Sequence, residues 1–81
     1  MNPFAKREFR WNDWNADHIA KHGIQAWQAE HVVRNAKPPY PRRHKKGTWI
    51  VKGRLPSGQR AQVVFLIDDD ELIYVIHAMP I

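Results

Sequence analysis

From Thr48 onward the sequence changes to an apolar–polar alternation of period two, interrupted by two strong turn signals. This reads as three consecutive antiparallel strands. Leu55-Pro56-Ser57-Gly58-Gln59 predicts a hairpin loop, with Pro56 starting a type I turn and Gly58 supplying positive φ. The resulting register sets Arg54 against Arg60, Lys52 against Gln62 and Ile50 against Val64 on one face. Trp49, Val51, Gly53 and Leu55 meet Phe65, Val63, Ala61 and Gln59 on the other, and this apolar face is expected to cover the helices. A two-residue loop within Asp68-Asp69-Asp70-Glu71 would put Leu72, Tyr74, Ile76 and Ala78 on the core face. It would put Ile73, Val75, His77 and Met79 on the basic face, and a slip of one residue would exchange the two sets.

The first half has a different period. Glu8-Phe9-Arg10-Trp11 alternates as a short edge strand would. Asn12 or Asp13 can cap a helix running to about His22, closed by a left-handed Gly23 with Ile24 packed behind it. Trp14, Asn15, His18, Ile19 and His22 fall on one side of that helix. Asp17 and Lys21 fall on the other, at ion-pair spacing. A second helix is predicted over Gln25 to Ala36, with Ala26, Ala29, Val32, Val33 and Ala36 as its apolar stripe. Trp27 lies nearly opposite the stripe, as a contact surface or folded locally over the helix start. The prolines of Lys37-Pro38-Pro39-Tyr40-Pro41 end the helical pattern. Arg42-Arg43-His44-Lys45-Lys46 then reads as an extended, mobile, cationic loop. Residues 1–7 are expected to form a disordered arm, leaving one domain of α+β class over 1–81.

A chain of 81 residues, 43% of them hydrophobic, supports one modest core. It has no cysteine, which excludes disulfides, Cys-based zinc sites and thiol nucleophiles. No apolar run approaches the ~20 residues of a membrane span, and Met1-Asn2-Pro3-Phe4 begins no signal peptide, so a cytoplasmic protein without membrane contact is expected. The formal net charge of +5 favours a polyanionic partner, nucleic acid or an acidic protein.

On this register Lys52, Arg54, Arg60, Gln62 and His77 share one end of the basic face. Like charges directly opposed across a hairpin, as Arg54 and Arg60 are, destabilise it unless an anion lies between them. Such conflicts with folding logic tend to mark sites. Cleavage of RNA needs a base for the 2′-hydroxyl, an acid for the leaving 5′-oxygen and cations for the phosphorane charge. His77 suits proton transfer, and Arg54 and Arg60 suit charge stabilisation. Lys52, Gln62, Arg42, Arg43, Lys45 and Lys46 are the candidate RNA contacts. A solvated basic face with an ordinary strand histidine accounts for the same spacing equally well.

His18 and His22 have helical metal-pair spacing, but Ile19 breaks the His-Glu-x-x-His motif and no third ligand is evident. A structural role is expected for both, with no metal or other cofactor. His31 and His44 have no identifiable partner, and the acidic run Asp68 to Glu71 reads as a solvated turn.

Phe9-Arg10-Trp11, Asn15, His18-Ile19 and His22-Gly23-Ile24 resemble the N-terminal signature of the BrnT family of bacterial type II toxins. Gly53-Arg54, Val63-Val64-Phe65 and Tyr74-Val75-Ile76-His77-Ala78 are similar to its strand pattern. The resemblance implies a RelE-like fold: strand, helix, helix, then a three-stranded antiparallel sheet packed on both helices. It implies a metal-independent ribonuclease that stops translation and is neutralised by a cognate antitoxin in a toxin–antitoxin heterotetramer. DNA would be contacted only indirectly, through that antitoxin. Arg54 matches a basic position of the family pattern. Met79 stands where family members usually carry Arg, and the basic C-terminal helix of many members has no counterpart before Ile81. These departures favour the alternative of a non-catalytic RNA- or antitoxin-binding module.

Overall fold

In the computed structural model, which describes residues 2–81, two helices pack on a five-stranded mixed sheet. The strands are β1 (Phe9–Arg10), β2 (Arg42–Arg43), β3 (Trp49–Arg54), β4 (Arg60–Ile67) and β5 (Ile73–Pro80), in spatial order β1-β5-β4-β3-β2. The helices are α1 (Asp13–Ala20) and α2 (Ala26–Arg34). The class is α+β. The expected three-stranded antiparallel sheet forms the centre, and two short strands extend it: β1, parallel to β5, and β2, antiparallel to β3.

Local chemistry explains both helices. Asn12 caps α1 reciprocally with Asn15: each side chain accepts from the other's backbone N–H, at 3.1 and 2.8 Å. The fully buried Asn15 also donates to the Arg10 carbonyl at 3.1 Å, which ties the helix start to β1. At the other end Gly23 takes φ +77° and Ile24 N–H donates to the Ile19 carbonyl, burying Ile24 against the core. Both helices are shorter than the sequence suggests. Among the described residues no Asp17–Lys21 ion pair forms.

The β3–β4 hairpin has the predicted register throughout, from Trp49 opposite Phe65 to Arg54 opposite Arg60. The β4–β5 turn differs. Asp68 N–H donates to the Leu72 carbonyl, and Glu71, at φ 63°, occupies the left-handed position of a loop one residue longer than expected. The slip puts Ile73 and Val75 in the core, opposite Ile67 and Phe65, and leaves Tyr74 half-buried. A bulge at Ile76 then adds a second residue of offset, so His77 opposes Val64 and Ala78 is buried opposite Val63. The predicted core positions of Tyr74 and Ile76 are therefore corrected, and that of Ala78 is met.

Two segments expected to be irregular belong to the fold. Phe4 is 5% exposed and meets Trp49 and Phe65 edge to face, with ring centroids 5.0 and 5.2 Å away. The expected disordered arm is thus anchored by an aromatic contact over residues 2–7, and its first residue, Met1, lies outside the described residues. In the basic run, Arg42 and Arg43 form β2 against Ile50 and Trp49, and Lys45–Gly47 form a single 3₁₀ turn closed by the Thr48 hydroxyl on the Lys45 carbonyl. Backbone pairing with β3 gives the run an ordered place in the sheet, correcting the extended-loop expectation.

Candidate functional site

β2 pairs only with Trp49 and Ile50, so the remainder of β3 has no strand on its outer side. The last turn of α2 passes this open edge, where Val32 lies against Gly53: a Cβ there would sit 3.6 Å from Val32 Cγ1. A cavity of about 440 Å³ opens beside this contact. It is lined by His31 of α2, Asn35 at its C-terminal cap, Lys37 beyond it, Lys52, Gly53 and Arg54 of β3, and Arg60 of β4. The lining holds four permanent cations and no carboxylate. Among the described residues none of the four enters an ion pair. Arg54 donates to the Gly58 carbonyl at 2.9 Å, which fixes its guanidinium beside the hairpin turn.

His31 is the residue that sequence reasoning missed. Its Nδ1 lies 3.4 Å from the Asn35 amide nitrogen, which also donates to the His31 carbonyl at 2.8 Å. The available signal was the i,i+4 spacing of His31, on α2, and Asn35, at its C-terminal cap. Only helix-to-sheet packing reveals what they face.

His77 keeps the predicted sheet face, that of Ile50, Lys52 and Gln62, but sits farther from the hairpin turn than expected. It opposes Val64, and its ring meets that of His22 edge to face with centroids 5.7 Å apart. It lines neither the cavity above nor its neighbour. Burial, then the nearby charges of His22 and His18, hold His77 below the ordinary histidine pKa. Trp14 stacks on His18 and Tyr74 on the same side of the molecule, while remaining 58% exposed. His22 contributes this ring contact, and its backbone N–H donates to the Ile19 carbonyl at 3.0 Å. Among the described residues no group of three or more His, Cys, Asp or Glu is arranged to hold a metal ion.

The other predicted contacts divide into two groups. Arg42, Arg43 and Lys52 line a second cavity of about 230 Å³ together with Tyr40, His44 and Ile50. Gln62 lies between Lys52 and Met79 across the sheet, and Lys45 and Lys46 line neither cavity. Arg43 also covers the Trp49 ring, its guanidinium carbon 5.0 Å from the centroid. Trp27 is 57% exposed, with its indole N–H on Gln25 Oε1 at 2.9 Å, so local bonding and exposure coexist.

Four of the eight acidic residues, Asp68 to Glu71, lie at the other end of β4. Arg10 binds Asp68 at 2.6 Å and also reaches Asp70, and Arg7 reaches Glu71 at 3.5 Å. Asp68 additionally accepts from the backbone of Asp70 and Leu72. The acidic turn is therefore a tied structural element, not simply a solvated one. Hydrogen bonding to Arg10 first, and to the Leu72 backbone next, holds Asp68 below the usual carboxylate range. No carboxylate lines the cavity at the hairpin end, so the potential there is set by its cations.

No family model matches the chain, and no curated protein or solved structure is similar enough to count as a match. No described helix is long and apolar enough to cross a membrane.

Proposed function

We propose that this chain is a metal-independent endoribonuclease of the BrnT toxin type, with a RelE-like fold and a cognate antitoxin as its regulator. One observation carries the reading: four unpaired cations and a histidine share one carboxylate-free cavity at the edge of β3. A phosphodiester fits that chemistry, because it carries one negative charge and gains more on its non-bridging oxygens as the phosphorane forms.

In the proposed reaction the 2′-oxygen of the substrate attacks phosphorus, and its proton passes to water. The bond from phosphorus to the 5′-oxygen breaks, leaving a 2′,3′-cyclic phosphate and a 5′-hydroxyl. Lys52, Arg54 and Arg60 stabilise the phosphorane oxygens. His31, as the imidazolium, protonates the departing 5′-oxygen, is left as neutral imidazole, and regains a proton from water. Arg54 and Arg60 keep the roles assigned from the sequence, while proton transfer passes from His77 to His31, since only His31 lines the cationic cavity.

The test is cleavage of an end-labelled RNA by the purified chain, with and without chelator, beside growth of cells in which the chain is induced. His31→Ala should slow cleavage on the order of 10²–10⁴-fold. His77→Ala should leave the rate nearly unchanged. Equal rates for wild type and His31→Ala would remove the histidine from the mechanism. A wild-type chain that neither cleaves RNA nor arrests growth would leave the second reading, a binding module. Met79 favours that second reading: it lies opposite Gln62, on the strand where the family pattern has Arg.

A further inference from the structure

The two cavities meet at Lys52, which lines both. In β3, Ile50, Lys52 and Arg54 are successive residues of one face, about 7 Å apart at each step. Arg42 stands directly opposite Ile50, so β2 continues the cationic line beyond Lys52. The second cavity adds the half-buried ring of Tyr40 beside Arg42, Arg43 and His44, and it too is lined by no carboxylate. Among the described residues Arg42, Arg43 and Lys52 make no ion pair.

We infer that the two cavities form one track for single-stranded RNA, with the second cavity a nucleotide subsite next to the scissile phosphate. This rests on the ribonuclease reading above. A step of two residues along an extended strand is comparable to one nucleotide of an extended backbone, so Lys52 bridges two neighbouring phosphates. Arg42 holds the outer one, and the Tyr40 ring receives the base attached to it. Stacking on an aromatic ring inside a basic groove is how unpaired strands are held without regard to sequence. A duplex is excluded by shape: its bases are stacked internally and its phosphates lie on a convex cylinder. An acidic peptide would satisfy the cations and leave the Tyr40 ring without a planar partner.

The experiment measures binding of labelled 2′-O-methyl oligonucleotides, which cannot be cleaved, to the full chain and to Arg42→Ala, Arg42→Lys and Lys52→Ala. The wild type should hold a tetranucleotide about 10-fold more tightly than a dinucleotide, a difference of about 1.4 kcal/mol. Arg42→Ala should remove most of that gain, weakening the tetranucleotide far more than the dinucleotide, and Arg42→Lys should restore part of it. Its salt dependence should fall by about 0.7 in log–log slope, the loss of one single-strand phosphate contact. Lys52→Ala should weaken both oligonucleotides. Circular dichroism of each variant checks that β2 still pairs.

Length-independent affinity, or an Arg42→Ala protein that binds like wild type, overturns the track. So does competition by an RNA duplex or by polyglutamate as effective as that by single strands. Cleavage of a dinucleotide by the same preparations separates the two readings. If it persists while length has no effect, the track fails and the ribonuclease stands. If no oligonucleotide binds or is cut, both fail.

Discussion

The ring of His77 meets that of His22 edge to face, with centroids 5.7 Å apart, joining the middle of β5 to the turn after α1. Partial burial and two neighbouring histidines disfavour the charged form of His77, so its folded pKa lies below the unfolded value. The unfolded chain then binds more protons as the solution is acidified. This contribution to stability is complete above the unfolded value of about 6.5 and is lost as pH falls through it toward the folded pKa. The melting temperature should therefore fall between neutral and mildly acidic pH, and His77→Gln should flatten the fall. Identical slopes in the two proteins would place the pH dependence elsewhere.

Phe4 should matter far more than an N-terminal position suggests. It fills the space between Trp49 and Phe65 and is almost fully buried. Phe4→Ala should destabilise the fold by about 3–5 kcal/mol, a large share of the stability of a domain this small. Urea unfolding measures this. A loss below about 1 kcal/mol, well short of a core truncation, would mean that the arm does not pack.

Glu71 sits at φ 63°, where a side chain is strained and glycine is not. Glu71→Gly should raise stability by about 1 kcal/mol through relief of that strain. Its carboxylate pairs with Arg7 only at 3.5 Å and is exposed, so little is lost, and the Arg7 bond to the Glu71 carbonyl survives. A lowered melting temperature would show that the pair outweighs the strain.

Arg10 joins β1 to the acidic turn through Asp68. Because Asp68 titrates below the ordinary carboxylate range, its contribution is present above the unfolded value and is lost as pH falls through the folded one. Arg10→Ala should reduce the steepness of acid unfolding and lower the melting temperature at neutral pH. An unchanged acid limb would assign that steepness to other carboxylates.

Much of the architecture is local and was legible in the residues. Pro56 and Gly58 define the turn that sets every β3–β4 pair, and Asn12, Asn15 and Gly23 bound α1 by hydrogen bonds among near neighbours. The gathering of Lys52, Arg54 and Arg60 followed from that hairpin alone. The faces of β5 were less accessible, because period-two reasoning carries any single-residue slip to the end of the strand. One slip occurs at Glu71 and a bulge follows at Ile76. Together they bury Ile73 and Val75 in place of Tyr74 and Ile76, then return Ala78 to the core.

Other features depend on contacts between segments distant in sequence, and only the tertiary structure decided them. Phe4 enters the core because Trp49 and Phe65 leave an aromatic-sized space. Arg42 and Arg43 become a strand because β3 offers an unpaired edge. His31 joins the cations, and His77 does not, because α2 crosses β3 at Gly53 while α1 lies along β5. Sequence spacing fixes which residues of one element share a face. Which face meets which is settled by the packing of side chains such as Val32 on Gly53, and that packing has no local signature.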